Sequence, residues 1–280
     1  MLGNRSALSL EAAQRTSAAV PELFDTRLRA LRRDRAARMG TELFLHERAF
    51  EDCLERIGLS DRKFEHALII GSPDPAWRKR AEALATRADV RDPGALFAAR
   101  SCGEVMSEDH WQPQQGTYDL VIAVGTLDTV NDLPLAMRLI RYSMRADGLF
   151  IGAMSGGDTL PILRSAMRAA DSLSRGAAPH VHPRIEAASL APLLERCGFV
   201  APVVDVDRVA VSYRSFDRLV RDLRAMGATN LLHSRPRFIG KLARAAMFEA
   251  FDRAGDGSRT LETFEILHFA AWTGEQGSRH

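Results

Sequence analysis

From residue 64 onward, short apolar runs alternate with stretches whose apolar residues recur every three or four positions. "HALIIG" (66–71), "ADV" (88–90), "YDLVIAVGTL" (118–127) and "GLFIGAM" (148–154) read as strands, while "AWRKRAEALATRA" (76–88) and "LPLAMRLIRYSM" (133–144) read as helices. Alternation of this kind dictates a mostly parallel sheet with helices on both faces, because each apolar run must be covered on two sides. In such sheets ligands lie at the carboxyl ends of the strands. The second half keeps the pattern but is richer in helix. Helices are expected over 159–173, 187–198, 215–227 (with Ser215 as its cap) and 239–255, and strands over 203–213 and 261–274.

Two helices precede the first strand. "LFDTRLRALRRDRAAR" (23–38) carries six arginines on good helix formers, and "ELFLHERAFEDCLERIG" (42–58) places apolar residues at helical spacing before stopping at Gly58. An N-terminal helical extension over 1–60 and an α/β domain over 61–280 follow. The arginine run could grip an acidic partner or an anionic membrane surface, although runs of charge are most often solvated helix faces.

Composition narrows the function classes. The 280 residues carry a formal charge of +2, which argues against a general nucleic-acid binder. Three widely spaced cysteines, Cys53, Cys102 and Cys197, give neither a disulfide framework nor a cysteine zinc site and fit a reducing cytoplasm. No apolar run approaches bilayer-spanning length, and Met1 to Pro21 lacks a signal-peptide core and reads as a mobile terminus.

A strand, a glycine-bearing turn and a helix, followed by an acid at the end of the second strand, is how α/β folds hold a nucleoside. Gly71 and Asp89 fill the first and last of those places. Three further features could carry chemistry. Asp158 in "SGGDTL" is a candidate base or, on its position before "TLPILR", a helix cap. His180 and His182 alternate in an extended "PHVHP" and could hold iron with a carboxylate, or could simply lie in a surface loop. The tryptophans at 77, 111 and 272 are scattered and are assigned to packing.

Several long strings carry a family resemblance: "YDLVIAVGTLDTVNDLP" (118–134), "GLFIGAMSGGDTL" (148–160), "PHVHP" (179–183), "GFVAPVVDVDRVAVSY" (198–213) and "DLRAMGATN" (222–230), with the arginine-rich segment at the start. In these the chain resembles the S-adenosylmethionine-methyltransferase-like assembly factors of respiratory complex I, of arginine-hydroxylase type, relatives of the BioC-type malonyl-acyl-carrier-protein methyltransferases. The resemblance implies a class I methyltransferase fold, Rossmann-like, with seven strands and the last antiparallel. It implies S-adenosylmethionine as cofactor, with the glycine loop on Gly71 to Pro75, the ribose acid on Asp89, and an acidic adenine-side segment on Ser107, Glu108 and Asp109. The loop lining the transfer site falls on Thr126 to Asp132, which makes Asp128 and Asn131 catalytic candidates beside Asp158.

The sequence departs from the family at the loop. Ile69 stands where an aspartate is usual, and Pro73 and Pro75 replace loop glycines, removing both backbone donors and free φ. The expectation is therefore a pseudoenzyme, a protein of this frame with a degenerate cofactor loop. It would bind a protein, either a respiratory complex subunit or an acyl carrier protein, in the cytoplasm or peripherally at the inner face of the membrane. The alternatives are an active methyltransferase with a carboxylate or protein acceptor, and an arginine hydroxylase.

Overall fold

The computed structural model describes residues 21–40, 42–60, 62–173, 178–235 and 238–274. The expectation of a mobile stretch before Pro21 therefore concerns residues outside the described ones. Seven strands form one sheet: β1 (Phe64–Ile70), β2 (Ala85–Asp92), β3 (Glu104–Val105), β4 (Tyr118–Val124), β5 (Met144–Ser155), β6 (Val200–Tyr213) and β7 (Thr260–Trp272), in the order β3-β2-β1-β4-β5-β7-β6. β7 runs antiparallel between β5 and β6, and the remaining pairings are parallel. The order reverses between β1 and β4, which places a crevice above their carboxyl ends.

Nine α-helices and one 3-10 turn (Leu127–Thr129) accompany the sheet among the described residues: α1 (Thr26–Met39), α2 (Phe44–Gly58), α3 (Ala76–Glu82), α4 (Ala95–Arg100), α5 (Leu133–Ser143), α6 (Pro161–Asp171), α7 (Ala187–Arg196), α8 (Phe216–Ala225) and α9 (Lys241–Arg253). Because side chains of a strand alternate sides, Ala67 and Ile69 meet Phe50, Ile57 and Trp77 from α2 and α3, while Leu68 and Ile70 join the core that holds Ile140 of α5 and Leu190 of α7. Both faces of β1 are thus dry, as a continuous apolar run requires. A third core, built from α6, α8 and α9, packs against β6 and β7 around Phe216, Leu219 and Phe251.

Three expectations are corrected. Helix was expected over 76–88, but α3 ends at Glu82 and β2 occupies Ala85 to Asp92, since the parallel ladder to β1 outweighs the helix preference of an alanine-rich segment. The strand expected over 88–90 accordingly begins three residues earlier and ends two residues later, at Asp92. Asp158 does not cap α6. Leu160 precedes that helix in a left-handed conformation (φ 60°), and the carboxylate of Glu262 accepts the Ile162 and Leu163 amides instead. The Ser215 cap on α8 is present, its side chain accepting from Arg218 N.

Candidate functional site

The crevice is built from the carboxyl ends of β1, β2 and β4, with α1 laid across them. At the β1 end Gly71 adopts φ +82°, and a Cβ there would stand 2.5 Å from Val124 O, so glycine is required for β1 and β4 to part at this point. The turn that follows has few free donors. Pro73 and Pro75 have no N–H, and the Ser72 amide is spent on Asp92 Oδ2 at 3.0 Å. Pro75 sits at the cap position of α3 with φ −61°, where its ring suits a helix start.

Asp92, rather than Asp89, is the acid at the end of β2. Asp89 lies mid-strand, with its carboxylate on His66 Nε2 at 2.8 Å and on the Tyr118 hydroxyl at 3.1 Å, away from the crevice. Asp92 is fully buried and accepts four hydrogen bonds: Arg33 Nε at 2.8 Å, Arg33 Nη2 at 2.5 Å, Ser72 N at 3.0 Å and Gly94 N at 2.7 Å. A carboxylate has about four acceptor sites, so this one is saturated.

Glu108 is held in the same way. Arg29 donates to both its oxygens, at 2.7 and 2.8 Å, and also to Thr126 O at 2.7 Å. Burial works to lower the Arg29 pKa, but the Glu108 carboxylate outweighs it and leaves the guanidinium above its ordinary value. Arg29 and Arg33 are one turn apart on α1, and with Ala36 and Ala37 they form its buried face. Both arginines of that face enter the crevice. Asp109, next to Glu108, accepts the Asp132 amide and the His110 and Ser107 side chains; these bonds outweigh its burial and hold its carboxyl below the usual range.

The transfer-loop candidates are also engaged. Asp128 pairs with buried Arg184 at 2.6 Å. Asn131 bonds the backbone of Phe24 in both directions, Oδ1 accepting from its amide and Nδ2 donating to its carbonyl. Asp158 is exposed at the β5 end and approaches Arg208 at 3.4 Å. The two histidines part company. His180 binds Asp171 at 2.7 Å, whereas His182 Nε2 accepts the Leu231 amide at 2.7 Å and its ring meets Phe24 edge-on. No group of three or more potential metal ligands forms among the described residues.

Beyond β4 and β5 lies a cavity of about 90 Å3 under α1. Its walls include Arg29, Arg33, His46, Asp128, His182 and Arg184. Burial first, and the nearby Arg33 second, push His46 down to about 4; burial and Arg184 do the same to His182, also to about 4. His46 packs so closely on Gly125 that a Cβ there would meet its ring at 2.6 Å. Sequence reasoning missed Arg29, Arg33, Asp92, His46 and Arg184. The signal for the first two was the spacing 29, 33, 36, 37, a buried helix face in which two members are arginine.

No family model matches the chain. Over 173 residues it is 37% identical to the mitochondrial arginine-hydroxylase NDUFAF5 of Mus musculus, a match that spans 60% of this chain and 50% of that protein. It is 32% identical over 158 residues to the malonyl-[acyl-carrier protein] O-methyltransferase of Laribacter hongkongensis, spanning 56% and 52%. The chain thus spans about half the length of the curated relatives it matches. Among solved structures, phosphoethanolamine N-methyltransferase 2 of Haemonchus contortus in complex with S-adenosyl-L-methionine superposes with a TM-score of 0.50 at 12% identity, covering 81% of this chain and 52% of that one. Together with the strand order, this gives the chain the class I S-adenosylmethionine-methyltransferase fold. Among the described residues no helix is long and apolar enough to cross a membrane.

Proposed function

We propose that this chain is a methyltransferase-fold protein whose cofactor crevice is occupied by its own α1, and that it acts mainly by binding another protein. The observation that carries the reading is the saturation of Asp92 by Arg33 and of Glu108 by Arg29. In this fold the acid at the β2 end is the group that accepts ribose hydroxyls. Here its acceptor sites are filled, and the turn after Gly71 has lost the amides that would approach a ligand. While α1 is docked, the residues present do not fit S-adenosylmethionine. The similarity to mitochondrial arginine-hydroxylase relatives favours a respiratory complex subunit as partner over an acyl carrier protein, with the protein working in the cytoplasm or at the inner membrane face. His180 and His182, facing different partners, do not favour the hydroxylase alternative.

Isothermal titration of the full chain with S-adenosylmethionine tests the reading. The expected outcome is no saturable heat, and a micromolar dissociation constant would overturn it. A second reading, an active methyltransferase, is favoured by the similarity to the malonyl-carrier enzyme and requires α1 to leave the crevice. In that case the protein's contribution would be orientation and desolvation around the methyl acceptor. Asp128 and Asn131 would first have to release Arg184 and Phe24, and Asp158 would remain a proton acceptor by position.

A further inference from the structure

Where α1 meets α8 and the segment after it, four arginines converge: Arg32, Arg35, Arg224 and Arg235. Arg32 Nη1 and Arg35 Nη2 both donate to the Thr229 hydroxyl, at 2.7 and 3.2 Å. A hydroxyl has two acceptor sites, against five N–H donors on each guanidinium. Among the described residues the buried Nε of Arg35 has no partner, and neither Arg32, Arg35 nor Arg224 has a carboxylate at ion-pair distance. Arg235 reaches Asp25 at 3.5 Å. Burial, followed by repulsion from Arg35 and Arg235, pushes Arg32 down to about 10. Asp25 offsets part of this charge, through its pairing with Arg235 and its nearness to Arg32, and the remaining excess of positive charge is what an anion would relieve.

The cluster adjoins a groove whose wall is mainly, though not wholly, apolar. Thr229 and Arg224 belong to its wall together with Leu163, Met167, Val220 and Phe248, between α6, α8 and α9, and its volume is about 500 Å3. Leu160, His182 and Arg184 are shared with the cavity under α1, so the groove leads inward from the arginines toward the strand ends. The wall also carries His180, Asp217, Asn230 and Arg244, but along Leu163, Met167, Val220 and Phe248 an extended peptide would bring N–H and C=O groups that these side chains leave unpaired, at a cost of about 1–3 kcal/mol each. An acyl chain brings none.

We propose that this groove binds a single-chain anionic amphiphile, its head between Arg32, Arg35 and Arg224 at Thr229 and its acyl chain along Val220, Met167 and Phe248. Because Arg32 and Arg35 lie on α1, the site rests on the docked α1 of the proposed function, and the lipid titration reads it directly, without S-adenosylmethionine. The probe is lauroyl lysophosphatidic acid below its micelle concentration, titrated calorimetrically into the full chain. One-to-one binding is expected, weakened roughly ten-fold in Arg224→Gln and in Arg35→Gln, as loss of one charged hydrogen bond implies. Val220→Trp, which fills the groove, is expected to abolish it, with far-UV circular dichroism confirming the fold. Because Arg224 is exposed, its variant keeps the test sound if the groove variant unfolds. Lauroyl lysophosphatidylcholine, whose choline neutralises the head, should bind roughly ten-fold more weakly, and inorganic phosphate alone more weakly still. Equal affinity for the two lipids, or no binding of the acid, would overturn the proposal. Binding to phosphatidylglycerol vesicles without one-to-one binding of the monomeric acid would overturn it in favour of a membrane surface.

Discussion

His182 shows how burial turns a sequence motif into something other than it suggests. On paper, "PHVHP" offered two imidazoles to a metal; in the fold, the second imidazole lies in the wall of the strand-end cavity, neutral, accepting the Leu231 amide. Its pKa falls from an ordinary 6.5 to about 4, burial being the larger cause and Arg184 the next. A histidine depressed in the folded state binds its proton more readily when unfolded. Its contribution to stability is therefore complete above pH 6.5, is lost as pH falls from 6.5 toward 4, and changes no further below that. The loss amounts to about 3 kcal/mol at about 1.4 kcal/mol per unit. His46 acts in the same window with the same sign. Urea denaturation at pH 7 and pH 5 measures the slope, which His182→Gln is expected to flatten, because a glutamine oxygen accepts the Leu231 amide without titrating. At this scale the sequence was least legible: that His182 would meet Leu231, or that Arg184 would meet Asp128, depends on contacts that no local pattern encodes.

Helices and strands were far more legible than the side chains they position. Apolar periodicity located each strand from β4 onward and each long helix, and Ser215 marked the start of α8 through the hydrogen bond that a cap must make. β2 was read short because Ala85 to Ala88 has helix-forming composition, and strand pairing with β1 overrode it. The more consequential misreading was of α1. Its arginines read as a grip for an acidic partner or an anionic surface, or as a solvated face, and neither reading turns two of them inward. Two of them instead clamp the helix into the crevice, so α1 is fastened by ion pairs where most helices are fastened by apolar contacts. Breaking one partner of a buried pair leaves an uncompensated charge, a loss of roughly 3–5 kcal/mol. Arg33→Ala is expected to fall in that range by chemical denaturation. Arg38→Ala, on the exposed side of the same helix, should change stability by less than about 0.5 kcal/mol. Similar small effects for both variants would mean that α1 is not docked as described.

At the scale of the whole chain, the helical extension anticipated over residues 1–60 raises the question of whether it unfolds by itself. Its helices are dispersed over the molecule. α2 contributes Phe50, Cys53 and Ile57 to the core shared with β1 and β4, and Phe50 stacks on Trp77 of α3 at 4.1 Å. α1 bonds to residues as distant in sequence as Glu108 and Thr229, and Phe24 just before it pairs with Leu232. Elements joined through a common core and through buried charge have little to hold them once that core opens, so α1, α2 and the sheet should lose structure together. Trp77 reports the α2 to α3 contact directly, because its ring lies against Phe50 and its Nε1 donates to Glu47 at 2.7 Å. In a urea titration, tryptophan fluorescence and far-UV circular dichroism are expected to trace the same transition. A fluorescence change that precedes the loss of helical signal would instead mark residues 1–60 as a separately folding unit. It would also mean that the arginines of α1 can leave Asp92 and Glu108 while the sheet stays intact, which is the motion that cofactor binding in this crevice would require.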